Sequence, residues 1–214
     1  MTTDLATKRY SVGAGLLELA FVLVSHFELR TASLPYLKML YSKVTEGVML
    51  TARVGLERMY VEQIESQHEL RQVVEMGKRL PLWLGAPGKA ILAYLEAHEI
   101  EAVIQGLEHE GSRFFASGKP IGAGKLRHEL IEVRKQGYAW SSSERLAGTN
   151  AVAAPIFDRY HRVVGAISLG GPESRFGRDT ARKYGPMVRE TADNISFQLG
   201  HGSSGAHGRT ESSA

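Results

Sequence analysis

Residues 148–172 decide the fold, and they read GTNAVAAPIFDRYHRVVGAISLGGP. Two runs of strand-forming residues, 149–157 and 162–170, flank a turn at 158–161, and this order predicts an antiparallel β-hairpin. Alternate residues of a strand point to opposite faces of the sheet. One face of this hairpin therefore carries almost no side-chain volume; its residues are Thr149, Ala151, Ala153, Ala166, Ser168 and Gly170.

A sheet face covered only by methyl groups, hydroxyls and hydrogens must be filled by something else, because protein interiors are close-packed. Two fillings fit this face. One is a helix docked closely onto the sheet, which small residues permit. The other is a small molecule held between the sheet and a helix.

The composition is that of a soluble globular protein. The chain has 214 residues, of which 43% are hydrophobic and 23% charged, so a single domain with one sizeable core is expected. A net charge of +3 is too small to indicate a nucleic-acid-binding surface. The absence of cysteine excludes disulfides and thiolate chemistry, and it favours a cytoplasmic location.

An apolar run at residues 16–24 follows Lys8 and Arg9 and resembles a short signal peptide. Glu18 interrupts the run, and the remainder is far shorter than the roughly 20 residues that cross a bilayer. The pattern instead predicts a helix over 14–27 that is apolar nearly all round and needs partners on more than one side. No membrane association is predicted.

The rest of the chain predicts an α+β fold. Residues 31–46 form an amphipathic helix pattern that Gly47 should end. Turn signals and apolar periodicity then predict, in order, strands at 48–54, 58–64 and 71–75, helices at 85–95, 97–106 and 125–136, a strand at 138–143, the central hairpin, and a closing helix over 179–199 that Pro186 kinks or begins.

Several short motifs occur in a characteristic order around the hairpin: RLPLW at 79–83, GKA at 88–90, EVR at 132–134, GYA at 137–139, ADNIS at 192–196 and LG at 199–200. In this order and spacing, the chain resembles the effector-binding domain of IclR-type transcriptional regulators over residues 8–200. The resemblance implies a GAF-like antiparallel sheet flanked by helices and preceded by a long apolar linker helix.

The resemblance also implies a domain organisation. Residues 1–12, with Lys8 and Arg9, would be the remnant of the DNA-binding wing of a winged helix-turn-helix, 13–30 the linker and dimerisation helix, 31–200 the effector-binding domain, and 201–214 a disordered tail. Relatives carry the winged helix-turn-helix before this wing. DNA binding is therefore expected through an N-terminal domain that precedes these residues, in a homodimer or tetramer located in the cytoplasm.

The family binds its effector between the hairpin and the helix after the Gly-Lys motif. The matching positions here are Ala86, Pro87, Ser141, Thr149, Ala151, Ser168 and Gly170. Relatives that respond to glyoxylate or pyruvate typically have longer or more polar residues at the positions of Ser141, Ala151 and Gly170. The shorter residues predict a larger, less polar organic acid, for example an aromatic carboxylate, with its acid group near Ser168 and the start of the helix.

Two other functions stay open. An enzyme on a related α+β fold is disfavoured, because the chain has no GxSxG elbow, no HExxH pair and no arrangement of two catalytic carboxylates. No cofactor, metal site or catalytic residue is predicted. A freestanding sensor without a DNA-binding domain is the other alternative, and the genomic sequence upstream of Met1 would distinguish it from a regulator.

Overall fold

The computed structural model describes residues 2–4, 9–11, 14–109, 115–120 and 122–202, with side chains described from Glu28 onward except at 108–109. The elements are β1 (Thr2–Asp4), β2 (Arg9–Ser11), α1 (Ala14–Tyr41), β3 (Gly47–Val54), β4 (Glu57–Ile64), β5 (Arg79–Pro81), α2 (Gly85–Leu92), α3 (Ala97–His109), α4 (Ala123–Gln136), β6 (Ala139–Ser142), β7 (Thr149–Phe157), β8 (Val163–Pro172) and α5 (Arg178–Gln198). The predicted α+β class is confirmed.

Six strands form one antiparallel sheet in the order β5-β4-β3-β8-β7-β6. The predicted hairpin is its centre, with β7 paired to β8 and the turn closed by Asp158, whose carboxylate accepts hydrogen bonds from the N–H groups of Tyr160 and Arg162. A separate two-stranded ribbon pairs β1 with β2. Lys8 lies outside the described residues, and Arg9 begins β2.

Helices cover both faces of the six-stranded sheet. One face packs on α1 and α5 through a cluster of large aliphatic side chains, which we call the core face. The other face packs on α2, with α3 and α4 behind it. Helix α4 ends as predicted at Gly137, which has a φ of 81° and donates its N–H to the carbonyl of Val133.

The first helix differs from its prediction. The segments expected as two helices form the single helix α1, because residues 28–31 include no glycine and the buried residues Leu29, Ser33 and Leu37 recur on one helical face. The helix ends at Tyr41, where Ser42 donates to the Met39 carbonyl, and Gly47 is the first residue of β3. Gly47 as the helix stop was therefore wrong.

The strand predicted at 71–75 was also wrong. These residues belong to a loop over 65–78 that touches the sheet through one bridge, between Tyr60 and Met76. The side-chain amide of Gln63 binds the loop backbone, donating to the Gln72 carbonyl and accepting from Val74 N–H. A side chain thus supplies bonds that a strand would have made with its neighbour.

Two further expectations concern the end of the chain. Helix α5 begins at Arg178 and runs through Pro186, so the proline does not mark its start. Of the predicted tail, residues 203–214 lie outside the described part of the chain.

Candidate functional site

The small-residue face of the sheet lies opposite the core face and extends across β6, β7 and β8. Its residues are Ala139, Ser141, Ala151, Ala153, Ala166, Ser168 and Gly170. Helix α2 docks directly onto it, and all eight residues of α2 are buried. Alanines of α2 pack against alanines of the three strands, and Gly88 allows the helix to contact the loop before it, because a Cβ there would collide with the backbone of Leu82. A docked helix, one of the two fillings considered, therefore occupies much of this face.

The positions predicted to bind an effector lie around this contact. Ala86 and Pro87 form the buried first turn of α2. Ser141 pairs with Ala151, and Ala151 pairs in turn with Gly170 on the next strand. Ser168 pairs with Ala153 on β7 and with Met49 on β3.

Thr149 is the least integrated of the predicted residues. It begins β7 and is only half-buried. Its hydroxyl donates to the Leu146 carbonyl at 2.7 Å. Its local role is therefore to close the turn before β7.

The space expected above Ser168 is narrower than the sequence suggested. Ser168 is fully buried, and its hydroxyl lies 3.4 Å from the carbonyl oxygen of Met49. A Cβ on Gly170 would lie 2.5 Å from Gln72 Oε1 and 3.2 Å from Met49 Cε. Side chains of β3 and of the loop over 65–78 thus cover this end of the face.

A buried ion pair connects α2 to the segment after β6. Lys89 Nζ lies 2.6 Å from Glu144 Oε1 and 2.9 Å from Glu129 Oε2, and Glu144 Oε2 accepts the Gly85 N–H at 3.0 Å. Burial raises the pKa of Glu144, and the Lys89 ammonium only partly opposes this effect. Lys89 of the Gly-Lys motif therefore positions the start of α2, and carboxylates of the chain itself balance its charge.

The most unusual side chain of the site is Arg58 on β4, which the sequence analysis did not select. Its side chain is on the same face as Thr51 and Tyr60, and it lies against the first turn of α2, because a Cβ on Gly88 would be 3.1 Å from Arg58 Nε. Arg58 is 0% exposed, and its Nη2 donates to the Leu84 carbonyl. Its Nε and Nη1 are buried without any hydrogen-bond partner.

A second guanidinium lies near the first. Arg145 follows Glu144 in the loop before β7; the residue is half-buried, but its Nη2 is buried without a partner. The guanidinium carbon of Arg58 is 5.1 Å from the centroid of the Tyr60 ring, and that of Arg145 is 5.9 Å from the same centroid. Within the described part of the chain, neither arginine forms an ion pair with a carboxylate.

Sequence reasoning missed these arginines for a physical reason. Arg58 lies in the alternating run ERMYVEQI, where alternation alone does not show which face is buried. It pairs opposite Arg53, whose guanidinium binds Glu99, and charged residues facing each other in this way are typical of a solvent-exposed edge strand. Only β5 and α2, folded over the strand, make Arg58 an interior residue.

A groove lies elsewhere on the protein, but among its described residues it has no buried arginine without a partner. It has a volume of about 750 Å³ and lies between α1 and the end of α5, where Glu28, Tyr36, Arg159 and Gln198 are among its lining residues. None of its described lining atoms is a buried polar group without a partner. The described residues also include no cluster of three or more acidic or histidine side chains placed to hold a metal ion.

Comparison with known proteins identifies relatives over most of the chain. Residues 21–197 match the family described as bacterial transcriptional regulator IclR, C-terminal. The HTH-type transcriptional regulator KipR of Bacillus subtilis is 34% identical over 196 residues, which are 92% of this chain and 77% of KipR. The HTH-type transcriptional repressor AllR of Klebsiella pneumoniae is 31% identical, over 89% of this chain and 69% of the repressor.

Solved structures agree with these sequence matches. The Thermotoga maritima IclR structure superposes with a TM-score of 0.74 at 26% identity, over 93% of this chain and 79% of that one. The C-terminal domain of the Escherichia coli regulator KdgR superposes with a TM-score of 0.68 at 27% identity, over 81% of this chain and 99% of that domain. The predicted GAF-like sheet with flanking helices is thereby confirmed. In the described residues, no helix is long and apolar enough to cross a membrane.

Proposed function

This chain belongs to the IclR family of bacterial transcriptional regulators, and we propose that within such a regulator it binds a small organic acid and transmits that binding to DNA recognition. Its relatives are transcriptional regulators, so the chain is a regulator domain and not an enzyme. The acid would lie on the sheet beside the first turn of α2. The predicted residues Ala86, Pro87, Ser141, Ala151, Ser168 and Gly170 would form its walls, with Thr149 at the rim.

The single observation that supports this proposal is the state of Arg58. A buried ionised group without a partner is costly, and proteins normally compensate it with an opposite charge. Arginine keeps its charge at any physiological pH and binds a carboxylate with two parallel hydrogen bonds. A carboxylate ligand beside Nε and Nη1 of Arg58 would supply both the missing charge and the missing acceptors.

Strand β4 offers a physical route from this site to the long first helix. Its Arg58 and Tyr60 side chains are on the ligand side, whereas Glu62 forms an ion pair at 2.7 Å with Arg30 of α1. A ligand that shifts β4 would therefore shift a contact of α1. Coupling of a few kcal/mol between effector and DNA is enough for regulation.

We further propose that α1 contributes to a homodimer or tetramer, that DNA binds through a winged helix-turn-helix, and that the protein acts in the cytoplasm. The family match and the length of α1 support the first two of these statements. In this scheme the ligand favours one arrangement of paired α1 helices and so one spacing of the DNA-reading domains.

The proposal is tested by thermal unfolding of the chain with a panel of short-chain and aromatic carboxylates. A ligand that binds only the folded state raises its melting temperature. We expect at least one acid to raise it in the wild type and Arg58→Gln to remove the rise. Arg79→Gln is the matched control, because the Arg79 side chain is 61% exposed and should leave the response intact. A panel without any shift, or a shift that Arg58→Gln leaves unchanged, would contradict the proposal.

A further inference from the structure

We infer that the effector is a dicarboxylate whose two acid groups are held by Arg58 and Arg145, on the Tyr60 side of the sheet. This inference rests on the proposed function and places the acid groups at the end of the same sheet face that β3 and β4 form. The positions taken over from the family lie around α2, β7 and β8, and neither arginine is among them.

The charges of the site require two negative groups. Lys89 is neutralised by Glu144 and Glu129, and both oxygens of Glu144 are in use, one with Lys89 and one with the Gly85 N–H. The neighbouring carboxylate in sequence is thus not available to Arg145. The two guanidiniums keep two positive charges that no described carboxylate balances.

The surroundings of the Arg58 guanidinium make this imbalance costly, because Arg58 is fully buried. Met49, Tyr60 and Val74 form a buried apolar cluster, with Leu80 packed against it. Charges beside such a cluster interact more strongly than in water, because little solvent screens them. The π-face of Tyr60 attracts a cation but supplies no hydrogen-bond acceptor in place of a carboxylate oxygen. Arg58 therefore still needs an anionic partner, and the buried Nη2 of Arg145 still needs an acceptor.

The geometry favours two acid groups on one molecule. Both guanidinium carbons lie within 5.9 Å of the centroid of the Tyr60 ring, so the two arginines are placed around one side chain. The unpartnered atoms belong to different strands or loops, with Nε and Nη1 on β4 and Nη2 on the loop before β7. A ligand with an acid at each end would connect these two parts of the site, and its carbon skeleton would lie against Tyr60.

The test measures affinity by calorimetry for three pairs of probes of equal skeleton: succinate with butyrate, glutarate with valerate, and terephthalate with p-toluate. We expect at least one dicarboxylate to bind at least about tenfold more tightly than its monoacid partner, because each buried charge-assisted pair adds strongly to affinity. Arg145→Gln should abolish that preference, and Arg145→Lys should restore part of it. Arg79→Gln should retain the wild-type preference.

The outcomes separate the two proposals. If monoacids and dicarboxylates bind equally well, or if Arg145→Gln keeps the preference, the dicarboxylate inference is overturned while the sensor function stands. If none of the six probes binds, the dicarboxylate inference is overturned too, and the wider carboxylate panel then decides the sensor function. Circular dichroism of each variant shows that loss of binding is not loss of folding.

Discussion

The two faces of the six-stranded sheet are built from the same strands but are filled in different ways. The core face presents Leu50, Val152, Ile167 and Leu169 to α1 and α5, so large aliphatic side chains fill this contact. The opposite face has alanine, serine and glycine under α2, and it buries the charged Arg58 beside Met49 and Tyr60. The charged Lys89 is buried on α2 itself. Volume on one face stabilises the fold, whereas the other face gives up volume and keeps buried charge, which is typical of a binding site.

The largest expected effect comes from removing volume on the core face. Leu169→Ala deletes a fully buried side chain between the sheet and two helices, so the free energy of unfolding should fall by about 3 kcal/mol. Urea unfolding measures this change. Ligand affinity of the folded variant should stay within about twofold, because Leu169 points away from the site.

Leu56→Ala is the matched control for this prediction. Leu56 is 40% exposed, in the turn between β3 and β4, and its removal should change the free energy of unfolding by no more than about 0.5 kcal/mol. A Leu169→Ala loss as small as that of Leu56→Ala would show that packed volume on the core face does not stabilise the fold.

The sequence carried most of the information about the core face. Alternation of small and large residues in 149–170 placed each side chain on its face, and the hairpin register agrees with that assignment. The helical spacing of Leu126, Leu130 and Val133 located α4, and Gly137 its end. The Gly-Ala-Pro-Gly run located the start of α2 at Gly85. Local patterns are informative here because a strand or helix reports its own buried side.

The candidate site was less predictable because it depends on contacts between distant segments. Arg58 is buried where the first turn of α2 packs over β4, and Gln72 covers Gly170 from a loop that the Gln63 side chain binds. Neither contact leaves a local pattern. The resemblance to the IclR family indicated positions around α2, but Arg58 and Arg145 are not among those positions.

A smaller effect on stability is expected at the buried ion pair of Lys89 and Glu144, and this effect depends on pH. Burial raises the pKa of Glu144, so the folded state binds its proton more tightly than the unfolded state does. Between the ordinary carboxyl pKa near 4.5 and the raised folded value, stability should therefore fall as pH rises. Glu144→Gln removes this titration, so the variant should gain stability relative to the wild type across that window.

The measurement is thermal or urea unfolding of both proteins at a series of pH values from 4 to about 8. Glu75→Gln is the control, because the Glu75 side chain is 70% exposed and its ion pair with Lys78 should contribute little. If the difference between Glu144→Gln and wild type runs the other way with pH, the pair stabilises the fold, and its role is not confined to positioning α2.

The smallest expected effect is on stability at the centre of the binding face. Ser168→Ala removes a hydroxyl whose bond to the Met49 carbonyl is long, at 3.4 Å, and leaves the side-chain volume almost unchanged. The free energy of unfolding should change by no more than about 0.5 kcal/mol, because a hydrogen bond of that length contributes little and the carbonyl of Met49 belongs to a β ladder.

Calorimetry on the same Ser168→Ala variant, with the tightest-binding acid, then separates two positions of the ligand. If the acid group lies at Ser168, affinity should fall by about tenfold, whereas binding between Arg58 and Arg145 leaves it within about twofold. We expect the second result, since Met49 and Gln72 cover Ser168 and the unpartnered donors lie on the side of β4.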